Sequence, residues 1–183
     1  MAVDRRGATG TAAVPGNPES VGPARVGTLQ SPPVDELDIK APMLRRLFGD
    51  WEQRRHGRQF PARADFDPLD LKYILGDLSL VDVLRDPLRF SFRLHASNLV
   101  DRGGIDMTGR LLDEMPDERR RANALRHYQK VMTTRRASVT FFAREYTDHR
   151  SWDCEVLVLP LAADGTTIDM LMVAFAWHNT ETP

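Results

Sequence analysis

Residues 78–95 read LSLVDVLRDPLRFSFRLH, and this stretch decides the fold class. Leu78 to Leu84 is rich in branched side chains, Arg85-Asp86-Pro87-Leu88 has turn chemistry, and Phe90 to His95 alternates apolar and polar residues. That pattern predicts a β-hairpin. The C-terminal third repeats the device. Val139 to Tyr146, Trp152 to Leu161 and Ile168 to Trp177 read as three further strands, the last two joined by a turn at Ala163-Asp164-Gly165. Strands that follow one another through tight turns pair antiparallel, whereas a doubly wound parallel sheet needs a crossover after every strand. The expected class is α+β, a five-stranded antiparallel sheet with helices packed on it.

Between and before these strands the periodicity turns helical. Leu44, Leu47, Phe48 and Trp51 recur at i, i+3, i+4 and i+7, with Arg45, Arg46, Asp50, Glu52 and Arg54 on the other side. Pro42 suits the first turn of this helix and Gly57 its end. Its apolar stripe either covers a core or pairs with its copy in a second chain, in which case Leu44, Leu47, Phe48 and Trp51 form a dimer interface. Asp67-Pro68-Leu69-Asp70 predicts a short second helix, capped by Asp67 and ending by Gly76. Ala96 to Arg102 predicts one or two helical turns, stopped at Gly103-Gly104. Residues 117–134 form the longest predicted helix, with Leu125, Tyr128, Val131 and Met132 on one stripe and Asp117 and Glu118 at its positive end.

Residues 1–33 hold ten of the chain's 24 Pro and Gly and no aromatic residue, so they read as a disordered tail. Residues 34–58 then carry the amphipathic helix, and residues 59–179 the main domain. Across 183 residues, 25 Lys and Arg meet 26 Asp and Glu, and the net charge is −1. Such a balance supplies no global attraction to nucleic acid. The longest apolar run, Met170 to Trp177, is far short of the roughly 20 residues of a membrane helix. The first twenty residues lack the apolar core of a secretory signal, so a cytoplasmic protein is expected.

The single cysteine, Cys154, permits neither an internal disulfide nor a thiolate zinc cluster. It alternates with Val156 and Val158 and reads as a small buried hydrophobe. Asp148, His149 and Asp153 crowd one predicted turn without a metal-ligand spacing, so no metal is assigned. G-x-G-x-x-G, Walker and G-x-S-x-G motifs are all missing, and no catalytic residue is assigned. From Asp117 to Arg136, Arg119, Arg120, Arg121, Arg126, Lys130, Arg135 and Arg136 face only two acids. This basic stretch is either a solvated helix face or a dock for an acidic surface or a phosphate.

The order of elements, two strands, short helices, a long helix and three strands, resembles that of a PAS domain. The resemblance sharpens at Phe60-Pro61-Ala62-Arg63-Ala64-Asp65-Phe66-Asp67-Pro68-Leu69-Asp70-Leu71, which is similar to the P-x-R-x-D-x-D-P-x-x-L opening motif of a family of short bacterial PAS-type proteins. It continues in Phe90-Ser91-Phe92-Arg93-Leu94, in Asp106-Met107-Thr108-Gly109-Arg110, and in Leu159-Pro160-Leu161 followed by Asp164-Gly165. Where that family commonly has Gly-Thr after the second strand, this chain has Ala96-Ser97.

The resemblance implies a PAS-like sheet holding a small ligand or none. It further implies a stand-alone sensory or regulatory module without an output domain, acting through ligand binding, protein–protein contact or both, as a homodimer or on an unidentified signalling protein. It names no ligand and no cofactor. Candidate ligand contacts are Arg93, His95, Ser97, His127, Tyr128 and Arg144. His127 reads as an acid, a haem ligand or a hydrogen-bond donor to a ligand; the stripe through 125, 128 and 132 instead leaves it on a polar helix face. An arginine inside the pocket would indicate a carboxylate ligand, and one on the outer face would be solvated. The competing reading is a small cone-shaped isomerase or dehydratase using Asp148 and His149 as its acid–base pair. Strand order separates the two, because a PAS sheet places its first strand centrally.

Overall fold

The computed structural model describes residues 37–103, 105–145 and 151–180. Its elements, in chain order, are α1 (Pro42–Arg54), β1 (Leu78–Leu84), β2 (Arg89–Leu94), α2 (Ser97–Gly103), α3 (Glu118–Thr134), β3 (Ser138–Glu145), β4 (Ser151–Leu161) and β5 (Met170–Thr180). The tail expected over residues 1–33 lies outside the described residues, as do Asp148 and His149. Among the described residues no helix is long and apolar enough to cross a membrane.

The five strands make one antiparallel sheet in the order β2-β1-β5-β4-β3. The N-terminal hairpin is thereby sewn to the C-terminal meander, with Leu78 to Asp82 of β1 paired to Ala174 to Met170 of β5. β1 is an interior strand, as the PAS-like order requires, and β5 occupies the centre. Side chains alternate across the sheet. Rungs such as Phe142–Cys154–Trp177 and Thr140–Val156–Phe175 therefore belong to one face. Glu155, Leu157 and Leu159 belong to the other, with Met172, Ala174 and Ala176.

That second face is covered by α1. Leu44, Leu47, Phe48 and Trp51 are each 0% exposed, and the Trp51 indole Nε1 donates to the Pro160 carbonyl at 2.9 Å. Of the two uses left open for this stripe, the chain's own core takes it. The dimer interface assigned to Leu44, Leu47, Phe48 and Trp51 is therefore corrected: these side chains are spent within one chain, against β4 and β5.

At its start, α1 has no side-chain cap from Ala41. Instead Glu155, 0% exposed in the middle of β4, accepts the backbone N–H groups of Lys40 and Ala41 at 2.8 Å each. Beyond the helix, Arg58 pairs with Asp65, whose Oδ2 also accepts the Ala62 N–H at 2.7 Å. Phe60 N–H then bonds to the Gly165 carbonyl and Ala162 N–H to the Pro61 carbonyl. Gly165 has φ +78°, and a Cβ there would meet Arg58 at 3.0 Å, so the β4–β5 turn is shaped to receive this segment.

The helix expected from Asp67 to Gly76 does not form. Asp70, Leu71, Ile74 and Asp77 each donate to the carbonyl three residues back, giving successive tight turns that finish in a 3₁₀ turn at Leu75–Asp77. The Asp67 carboxylate is consumed by the Leu69 N–H two residues on, a local bond that competes with helix capping. Tyr73 is drawn aside as well, its hydroxyl donating to Asp50 on α1 at 2.8 Å under the Arg46 guanidinium.

Two stability predictions follow from α1. Trp51→Ala or Leu47→Asp will lower the unfolding free energy by about 3 kcal/mol or more, by cavity formation or burial of a charge, rather than convert a dimer to folded monomers. Glu155→Ala, which strands two backbone donors, will cost about 1–3 kcal/mol. Denaturant melts read both, and a folded, equally stable Leu47→Asp variant of reduced mass would restore the dimer reading.

Candidate functional site

On the face of the sheet opposite α1, α3 packs on β3 and β4. Its position is set by Asp117, whose carboxylate caps the helix by accepting the Arg120 N–H, and by Phe90 of β2, which meets Tyr128 edge to face at 5.2 Å. At the far end Arg135 adopts φ 55°, lies over the Phe60 ring at 5.2 Å and bonds to Gln59 and the Thr166 carbonyl. The helix is pinned at both ends.

Between α3, α2 and the strands lies a cavity of about 800 Å³. The Phe142–Cys154–Trp177 rung and Val156 and Phe175 of the next form the sheet side, while Leu99, Met107 and Met115 approach from the connecting segments. Phe175 and Trp177 stack at 6.5 Å. Trp177 is fixed by its Nε1 donating to Asp77 at 3.3 Å and by Arg102 over its ring at 4.9 Å. Cys154 is 4% exposed and lines the cavity, as its alternation with Val156 predicts.

Three of the six sequence candidates converge here. His95, His127 and Tyr128 all line the cavity. His127 corrects the reading that placed it on a polar helix face. It is 6% exposed, because α3 buries the 127–128–131 flank against β3 rather than the 125–128–132 stripe. Its Nε2 lies 3.2 Å from the Ser138 carbonyl oxygen, and a carbonyl only accepts, so Nε2 carries the proton and Nδ1 keeps a lone pair. Tyr128 as a residue is 97% buried, with its ring against Phe90, and no hydrogen bond ties its hydroxyl to a described residue. His95 accepts the Met107 N–H on Nδ1 at 3.4 Å, which leaves its proton on Nε2.

The other three candidates fall elsewhere. Arg93 is exposed on the face opposite the cavity and paired to Asp82 at 3.0 Å, so the solvated alternative is the correct one. Ser97 is exposed at the start of α2 and is not among the lining residues. Arg144 is placed only by its backbone, opposite Trp152 in the β3–β4 ladder. Missed by sequence reasoning were Phe142, Phe175, Trp177 and Arg119. The first three were visible as same-face residues of neighbouring strands, once the register was known; Arg119 was hidden among other arginines.

The charged side chains that line the cavity, Asp117, Arg119 and Arg120, all belong to the start of α3. Burial pulls the His127 pKa down to about 4, aided by the Lys130 charge and opposed by the bond to Ser138. Burial likewise lowers His95, with Arg120 adding to the effect and Asp106 resisting it. Burial also raises the Tyr128 phenol above its ordinary value. All three are neutral near pH 7. Among the described residues no group of three His, Cys, Asp or Glu side chains could hold a metal ion. The polar groups of His95, His127 and Tyr128 therefore line the cavity in their neutral forms.

Comparison with known proteins comes from three directions. A family model described as PAS domain matches residues 39–174. No curated protein matches. Among solved structures, a light-oxygen-voltage domain studied with a flavin analogue is 10% identical, over 62% of this chain and 84% of that one, with a TM-score of 0.43. A fungal LOV-domain photoreceptor is 16% identical, over 55% of this chain and 72% of that one, with a TM-score of 0.37.

The buried His127 makes a pH prediction. The unfolded ring titrates near 6.5 and the folded one near 4, so above pH 6.5 neither form is protonated and stability is complete. As pH falls from 6.5 to 4 the unfolded chain gains a proton that the folded chain does not. Stability then declines, by about 3 kcal/mol once both are protonated. His127→Gln will flatten this limb of the stability–pH curve relative to the parent protein. Equal slopes for the two would show that His127 is not the group responsible.

Proposed function

The chain belongs to the PAS domain family over residues 39–174, and on that premise we propose that it is a sensory module that takes a small molecule into the cavity beneath α3 and reports it to another protein. The observation that carries the reading is the cavity itself. A half-open cavity of about 800 Å³, lined by aromatic and sulfur-bearing side chains together with polar and charged ones of α3, has the size of a ligand site. Tyr128 and the Nδ1 of His127 supply the few polar groups that would fix a ligand's orientation.

The sheet supplies a route out of the cavity. Cys154 and Val156 face the ligand space, while Glu155 between them holds the start of α1 on the opposite face. A shift of β4 by a bound molecule therefore moves the anchor of α1 directly. Pairing with a second copy and contact with a signalling protein belong to the same reading, through surfaces other than the buried stripe of α1. Of the basic residues around α3, Arg119, Arg126, Lys130 and Arg136 are exposed. Arg121 is turned to Glu118 and the Met115 carbonyl, and Arg135 to the β4–β5 turn.

Native mass spectrometry of protein purified from its own host tests this. The parent chain will retain a small molecule, and Val156→Phe, which projects a ring into the cavity, will lose it while keeping its secondary structure. The Lys40 and Ala41 amides, held by Glu155, will exchange with solvent at different rates in the two samples. A parent protein without retained mass, and unchanged exchange on filling the cavity, would remove the sensor reading.

A further inference from the structure

We propose that the cavity takes an organic monocarboxylate, an apolar aryl or acyl body lying inside and its carboxylate at the mouth on Arg119. This deepens the ligand-binding reading above and rests on it. The distribution of charge carries it. Away from the start of α3 the lining side chains are neutral, and a carboxylate placed among them would lose its hydration with no cation to replace it. Charge collects instead where the N-terminus of α3 borders the cavity, at Asp117, Arg119 and Arg120.

These three groups are not equivalent. Asp117 accepts the Arg120 N–H and pairs with the Arg120 guanidinium at 2.9 Å, so the two charges offset each other. Glu118, the other acid of this turn, lies 3.7 Å from Arg121. Among the described residues Arg119 has no carboxylate partner, and of the three charged side chains that line the cavity it is the one outside the Asp117–Arg120 pair. Tyr128 is a second, independent mark of a ligand: the residue is 97% buried, it lines the cavity, and no hydrogen bond ties its hydroxyl to a described residue. Together they read an amphiphile whose acid stays at the surface and whose body carries an acceptor or a π face for Tyr128.

Matched acid–alcohol pairs test the head group, with decanoate against decanol for an acyl body and naphthoate against naphthol for an aryl one, by calorimetric titration of the full chain. Of the pair whose body fits, the acid will bind roughly tenfold more tightly than the alcohol, the worth of one charge-assisted hydrogen bond. Added salt will narrow the gap. Arg119→Gln will bring the acid to the level of the alcohol and leave the alcohol unchanged. Equal binding of acid and alcohol, or an acid preference that survives Arg119→Gln, overturns the carboxylate inference and leaves the cavity reading standing. Failure of all four compounds to bind the parent chain overturns both.

Discussion

A carboxylate buried in the middle of a β-strand organises this molecule. Glu155 is surrounded by apolar residues and fully removed from solvent, a position that is costly unless every lone pair is used. Two backbone donors at the start of α1 use them, with the His178 imidazole 3.5 Å away. The exchange is reciprocal: α1 begins with Pro42 after an alanine that cannot cap it, and the acid of β4 supplies the missing acceptor. Without that acceptor, the face bearing Met172 and Ala174 would lose the anchor of its cover. The helix N-terminus and the strand interior each satisfy a need the other creates.

The same economy explains why the motif that carries the resemblance says little about a ligand. In Pro61 to Leu71, Asp65 closes a turn on Ala62 and pairs with Arg58, Asp67 closes an Asx turn on Leu69, and the segment docks on the β4–β5 turn through Phe60 and Pro61. None of the residues in these bonds is among those that line the cavity. The cavity is built on the face opposite α1 from residues scattered over β3, β4, β5 and α3, with no local spacing to recognise. A sequence signature of this kind identifies the scaffold, and the site on it has to be read from geometry.

The sheet was legible because its signals are local. Asp86-Pro87 and Asp164-Gly165 sit at turns, and period-two alternation fills the stretches between them. The stripe of α1 was equally plain, though nothing in its spacing could say whether its own sheet or a second chain would cover it. Asp67-Pro68 misled because a side chain that can cap a helix can also close a turn on itself, and tertiary pull on Tyr73 favoured the second. His127 misled for a different reason. The hydrophobic stripe of α3 predicts the buried flank only if burial follows hydropathy, and here the Ser138 carbonyl makes a histidine acceptable where an aliphatic residue was expected. Glu155 left a trace that alternation could have exposed, a lone acid inside the run from Cys154 to Leu161.

The two faces of β4 give a physical basis for coupling that needs no long pathway. Successive residues of a strand point to opposite sides, so a displacement felt by Cys154 and Val156 is felt by Glu155 through the intervening peptide bonds, without relay through a packed core. What makes that displacement consequential is the state of the groups it reaches. The α1 anchor consists of hydrogen bonds to a fully buried charge, and such bonds have steep energetic dependence on geometry because no solvent is present to replace them. A ligand that binds better to one setting of β4 than to another shifts the balance of α1 by that difference and no more. On the proposed sensor reading the cavity has to discriminate between strand positions, and the groups that line it from either side are Phe142 of β3, Phe175 and Trp177 of β5, and Tyr128 of α3.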